Sequence, residues 1–279
     1  MESLLRPVFS KMDESFRTEE AGACSLLLQV SDKRVTWCIQ DIPSNRFVAI
    51  ESFPSALEEA ARETSTFRLP FRSIVMMLEN NYSTLIPKIL FEEKEEEAYI
   101  GFIYGDTDRM EICNDLIDQL EMVNVYGVAK QQLEYARQLF PAVKIFHHST
   151  AMIRSIAMHF KNRLSAVKVF IHVREQDFDL LVFDGKKVDY FNSFHFLAPS
   201  DLAYYVIFVM EQLSFNPEET GIILMGNINR DSETFELLYR YIRNIEFADR
   251  NESFRYSYIF NDIPPHQHYL LLNLGLCGL

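Results

Sequence analysis

Residues Leu26–Phe53 read LLLQVSDKRVTWCIQDIPSNRFVAIESF. Three apolar runs, Ser25–Val30, Val35–Gln40 and Phe47–Phe53, alternate with the polar turns Ser31–Arg34 and Ile42–Arg46. Turns this short join antiparallel neighbours, so the stretch predicts a three-strand meander. Ser55 and Glu58 follow as a Ser-x-x-Glu capping box, in which each side chain satisfies an orphan N–H at the start of a helix running to about Thr64.

The pattern returns in Val167–Phe196, VKVFIHVREQDFDLLVFDGKKVDYFNSFHF. Val30 matches Val173 and Asp41 matches Asp184, both at an offset of 143. Ser52-Phe53 matches Ser193-Phe194 at 141, and Pro54-Ser55 matches Pro199-Ser200 at 145. Identities are few, but element order and spacing repeat together, which predicts an internal duplication. The division expected from it is a first domain over 1–163, including an N-terminal arm, and a second over 164–279.

Between the copies, Ser73–Glu79, Ala98–Tyr104, part of Asp118–Tyr126 and Val143–His147 are strand candidates. Ser83–Phe91 contains Pro87 and predicts a short helix or turn rather than a central strand. The charge run Glu92–Glu97 predicts a solvated loop. Gln131–Phe140 and Thr150 to about Arg163 predict helices, the latter with Lys161 and Arg163 in its last turn. After the second copy, Leu202, Tyr205, Val206, Val209, Met210 and Leu213 mark a helix apolar enough to be buried between the halves. Gly221–Gly226 and Arg255–Phe260 predict strands, and Asp231–Ile245 predicts a helix. The apolar ending Tyr269–Leu279 must dock in a core.

The 279 residues are 48% hydrophobic, with 23 Phe and 13 Tyr, so a large core is available without disulfides or metal staples. The net charge of −13, from 27 basic and 40 acidic residues, opposes binding of nucleic acid or anionic lipid. Cys24, Cys38, Cys113 and Cys277 are widely spaced, unlike paired zinc ligands, and predict free thiols in a reducing cytoplasm. No apolar run reaches the roughly 20 residues of a spanning helix, so a soluble protein without membrane insertion is expected.

A three-strand meander with its helix and following βα elements, present twice, resembles the actin-like (ribonuclease H-like) ATPase fold of sugar kinases, heat-shock chaperones and actin-like adaptors. The chain is most similar to a bacterial family of unknown function assigned that fold. The resemblance implies an α/β protein of two mixed-sheet domains with a cleft between them. It implies that Gly226 and Asn227, in Gly221-Ile-Ile-Leu-Met-Gly226-Asn227, stand where relatives contact adenosine. It also implies that Asp32 and Glu175 stand at the phosphate-loop and metal positions. Relatives carry Asp-x-Gly in each first hairpin, where glycine lets backbone N–H groups reach phosphate. Here Gln29-Val30-Ser31-Asp32-Lys33 and His172-Val173-Arg174-Glu175-Gln176 contain no glycine. The expectation is a non-catalytic cytoplasmic binding or scaffold protein with a protein partner, no catalytic residue and no required cofactor. The alternative is an ATP–Mg²⁺-binding protein or weak phosphotransferase with altered loops.

Other chemistry is sparse. His147-His148 and His266-x-His268 lack a carboxylate or thiol that completes a metal set, and read as partly exposed structural histidines. Asp177-Phe178-Asp179 and Asp184-Gly185 read as turn residues. There is no Gly-x-Ser-x-Gly, Walker or Gly-x-Gly-x-x-Gly motif.

Overall fold

The computed structural model describes residues 6–161, 164 and 166–277. They form two compact units. The first comprises the described residues up to Ser155, with Asn251–Asp262 and those from Leu270 onward; the second comprises Ile156–Arg250 and Ile263–Tyr269. The division at 163/164 therefore misses a C-terminal return to the first unit. Arg163 itself lies outside the described residues.

In the first unit, β1 (Phe9–Met12) precedes the meander β2 (Cys24–Val30), β3 (Val35–Asp41) and β4 (Arg46–Phe53). Helix α1 (Leu57–Glu63) then leads to β5 (Ser73–Leu78), parallel to β2. An insertion follows: β6 (Ser83–Pro87), α2 (Glu96–Tyr104), β7 (Met110–Ile117) and β8 (Met122–Ala129). Its strands form a separate antiparallel sheet, β6-β8-β7, over a small core of Ile100, Val123 and Val125. Helix α3 (Lys130–Leu139), β9 (Lys144–His147) and α4 (His148–His159) complete the run. The main sheet has the order β1-β4-β3-β2-β5-β9. Six of the seven residues of β2 are buried, as befits a central strand covered on both faces.

The second unit holds β10 (Lys168–Val173), β11 (Asp177–Asp184), β12 (Lys187–His195), α5 (Pro199–Gln212), β13 (Gly221–Gly226), α6 (Glu233–Tyr241) and β14 (Ile245–Phe247). Its order, β12-β11-β10-β13-β14, repeats β4-β3-β2-β5-β9 of the first, with the same parallel and antiparallel senses. The duplication holds at single-residue resolution. Ser31 donates to Arg34 O at 2.9 Å, and Arg174, 143 residues on, donates to Asp177 O at 2.8 Å. The β-bulge at Ile39/Gln40 recurs at Val182/Phe183, again at 143. Val35 pairs with Phe53 and Phe178 pairs with Phe194, giving the offset of 141 read from the sequence.

The C-terminal return is tied by charge. Strand β15 (Arg255–Tyr256) pairs parallel to β4 along the edge that β1 also occupies, and α7 (Tyr269–Asn273) follows with every residue buried. At the junction, buried Asp13 accepts hydrogen bonds from the Ser15 backbone and hydroxyl, Ser257 and the Arg46 guanidinium. Burial alone would raise this carboxyl; the hydrogen bonds and Arg46 outweigh it and hold it at about 2. The N-terminal arm thus contributes a paired strand and an anchoring carboxylate.

Several local expectations change. Ala98–Tyr104 is helical: Glu96 and Glu97 occupy its first turn, where acidic charge suits the dipole, and Gly105 at φ 80° ends it. The acidic run before it is a short helical turn and the start of α2. Ser83–Pro87 is an edge strand with proline at its end. Ser55 does not cap α1, whose N-cap is Ala56. The matching helix α5 instead uses Asp201, which accepts from the N–H groups of Leu197 and Ala198 at 3.0 Å each. Helix α5 buries Leu202, Val206 and Met210 but exposes Tyr204 and Phe208, so it is a one-sided helix.

Candidate functional site

The first hairpin turn is closed by its own serine. Ser31 Oγ accepts from the N–H of Arg34 at 3.0 Å and of Lys33 at 3.4 Å, and donates to Arg34 O at 3.2 Å. With the Ser31 N–H bonded to Arg34 O, three of the turn's backbone donors are engaged within the turn. Asp32 stands exposed at its tip. Beneath it, Gln29 Nε2 donates to Glu79 Oε1 at 2.6 Å.

The second turn is closed by a buried carboxylate. Asp179 accepts from Arg174 Nη2 at 3.0 Å and Ser193 Oγ at 2.6 Å, and its other oxygen lies 3.1 Å from His172 Nδ1. Asp179 and Ser193 occupy the register of Thr36 and Ser52, whose hydroxyls are 2.9 Å apart in the first meander. The second copy thus holds a carboxyl where the first holds a hydroxyl pair, with the Arg174 guanidinium bonded to it. Glu175 is exposed beside this network.

Gly226 ends β13 next to the end of β10. It sits at φ 88°, and a Cβ there would lie 2.2 Å from Val173 O and 2.9 Å from His172 Cδ2. Its N–H donates to His266 O at 3.0 Å, and the Asn227 N–H donates to Val173 O at 2.7 Å. His266 Nε2 in turn donates to Ile228 O at 2.6 Å, and burial lowers the pKa of that imidazole. Glycine is therefore required here by the close approach of two backbones. The Asn227 residue is exposed. Glu175, Gly226 and Asn227 share one end of neighbouring strands in the second unit; Asp32 belongs to the first unit.

One buried polar network was absent from the sequence reading. Asp115 on β7 accepts from the His147 N–H at 2.9 Å and Tyr126 OH at 3.2 Å. His147 Nδ1 lies 2.7 Å from Ser149 Oγ, and its Nε2 lies 3.2 Å from Asn80 Oδ1. Asn124 Nδ2 donates to Ser149 and Thr150 hydroxyls at 2.9 and 2.8 Å. Burial drives Asp115 up to about 6, against the hydrogen bonds and the Arg154 charge that favour its ionised form. His147 and His148 are fully buried rather than partly exposed. This buried Ser-His-Asp set joins the inserted sheet to β9 and α4. The recoverable signal was Asn114-Asp115, polar residues within an otherwise strand-like run. Among the described residues, no group of three His, Cys, Asp or Glu side chains is placed to hold a metal. No helix among them is long and apolar enough to cross a membrane.

Comparison with solved structures gives the same architecture. A Bacteroides thetaiotaomicron protein with actin-like ATPase fold and unknown function superposes with a TM-score of 0.80 at 17% identity, over 93% of this chain and 98% of that one. A chain of the PilM–PilN type IV pilus biogenesis complex superposes with a TM-score of 0.60 at 12% identity, over 91% and 98%. No curated protein matches by sequence. A family model described as "Protein of unknown function (DUF3822)" matches residues 13–245. The chain, folded as a duplicated actin-like α/β protein, belongs to that family.

Proposed function

We propose that this chain is a non-catalytic member of the actin-like fold that acts by holding a protein partner. The observation that carries the reading is the pair of hairpin turns. A phosphate is cradled by backbone N–H groups left free by glycine-rich turns. In the first turn those donors are engaged by Ser31; in the second, Arg174 is committed to Asp179. The residues present do not fit a triphosphate loop, and Gly226 is accounted for by the Val173 carbonyl. Asp32 and Glu175 place exposed carboxylates at the tips, where they repel an anion. The structure similar in fold from the PilM–PilN complex is itself part of a protein assembly, which accords with partner binding. Free thiols at all four cysteines support a cytoplasmic setting.

The test is affinity capture of the full chain from its own cells, with captured proteins quantified before and after a wash with ATP and Mg²⁺. The reading predicts a partner recovered near stoichiometry and unaffected by the wash. Release of the partner coupled to phosphate production would refute it, as would recovery of nothing above the tag-only control.

A further inference from the structure

We propose that the insertion docks a basic amphipathic segment of a protein partner, through an apolar surface on α2 and the Lys88–Leu90 turn whose most exposed side chains are Phe102 and Ile89. This deepens the binding reading above and rests on it. Helix α2 contains Ala98–Tyr104 without a single charged side chain, yet only Ile100 is fully buried. Phe102 is 93% exposed and Ile103 52%. They lie three and four residues after Tyr99, hence on its side of the helix. Tyr99 joins that side to the preceding segment: its hydroxyl donates to Leu90 O and accepts from the Glu92 N–H, both at 3.1 Å. There Ile89 is 92% exposed and Leu90 66%. Four large aliphatic or aromatic side chains therefore stand in solvent on the two segments that Tyr99 joins. A contiguous patch of this kind is uncommon on a surface that meets only water.

Charge selects the occupant. Ser83–Ala129 holds eleven acidic and three basic residues, a net −8 of the chain's −13. Glu92, Glu93, Glu95 and Glu97 border the patch in sequence; Glu92, Glu93 and Glu95 are exposed. Anionic lipid is repelled by this rim, and a second copy would bring like charge against like. A helix with leucine-like residues on one face and lysine or arginine on its flanks fits both features.

The probe is a fluorescent 14-residue amphipathic Leu/Lys peptide, with a Ser/Lys peptide of equal charge and a Leu/Glu peptide as controls, titrated by anisotropy against the full chain. The Leu/Lys peptide should bind at least tenfold tighter than the Ser/Lys peptide, and the Leu/Glu peptide should not bind. Ile89→Asp with Phe102→Asp should remove that tenfold preference and leave the melting temperature unchanged, because both side chains are outside the core. Equal affinity for Leu/Lys and Ser/Lys peptides would overturn the proposal, as would undiminished binding by the double variant. A wild-type dimer that the double variant dissociates in sedimentation, or Phe102-dependent pelleting with neutral phosphatidylcholine vesicles, would overturn it in favour of another occupant. If the double variant captures the native partner as well as wild type, this surface is wrong while the binding reading stands. If neither chain captures a partner, the binding reading fails independently of the peptide result.

Discussion

Replacing Asp115 by Asn should change how stability depends on pH, by an amount the structure sets. Asp115 is 6% exposed, and burial raises its pKa from the ordinary 3.8 to about 6. A raised carboxyl stabilises the fold while protonated: the contribution is fully present below pH 3.8 and is lost as pH rises through about 6. The whole loss is about 3 kcal/mol, of which about 2 kcal/mol falls between pH 4 and 7. Asparagine keeps an oxygen for the His147 N–H and offers its amide to the Tyr126 hydroxyl oxygen, while removing the titration. The chain's single tryptophan, Trp37, lies in the core of the same unit, so its fluorescence in urea reports that unit's unfolding. The stability difference between Asp115→Asn and wild type should move by about 2 kcal/mol in the variant's favour from pH 4 to pH 7. Titrating groups distant from Asp115 are common to both chains and cancel in that difference. A difference constant within about 0.5 kcal/mol over this range would refute the assignment of a raised pKa to Asp115.

Three further outcomes follow from the same geometry. Gly226→Ala places a methyl 2.2 Å from Val173 O at φ 88°; it should cost roughly 2 kcal/mol or more and raise hydrogen exchange in Lys168–Val173 and Gly221–Gly226. Asp13→Ala strips the acceptor from Arg46, Ser15 and Ser257 and should cost about 2–4 kcal/mol in the Trp37 urea transition at pH 7. Because the Asp13 carboxyl is held at about 2, its stabilising effect is present above 3.8 and fades as pH falls through 2; the cost of the substitution should shrink in that acid range. Asp179→Asn should loosen the second hairpin, seen as faster exchange at Arg174 and Asp177, with the Trp37 transition unmoved.

The duplicated meander was legible because period-2 runs and short turns are local features, and both copies keep them at fixed spacing. Even the offset change from 143 to 141 reappears in the strand register. The C-terminal return was not legible: nothing in Arg255-Tyr256 announces that it pairs with Arg46-Phe47, some 209 residues earlier, since that contact depends on tertiary packing. Ala98–Tyr104 misled for the opposite reason. Its tyrosines and isoleucines favour strand by composition, but the preceding glutamates and Gly105 set up a helix that local pattern alone does not reveal. At the candidate site, the absence of glycine from both hairpins was visible at once. How the turns close without it was hidden, because Ser31 acts within its turn whereas Asp179 works across strands. The exposed Phe102 and Ile89 were invisible to sequence reasoning, in which an aromatic or isoleucine is assigned to the core by default.

The central claim, that the two hairpin turns no longer serve a nucleotide, is tested most directly by titrating ATP with Mg²⁺ into the full chain by calorimetry while following phosphate release. The account predicts no saturable heat at micromolar to submillimolar nucleotide and no phosphate above the protein-free control. Stoichiometric micromolar binding, lost in Asn227→Ala and accompanied by turnover, would contradict it.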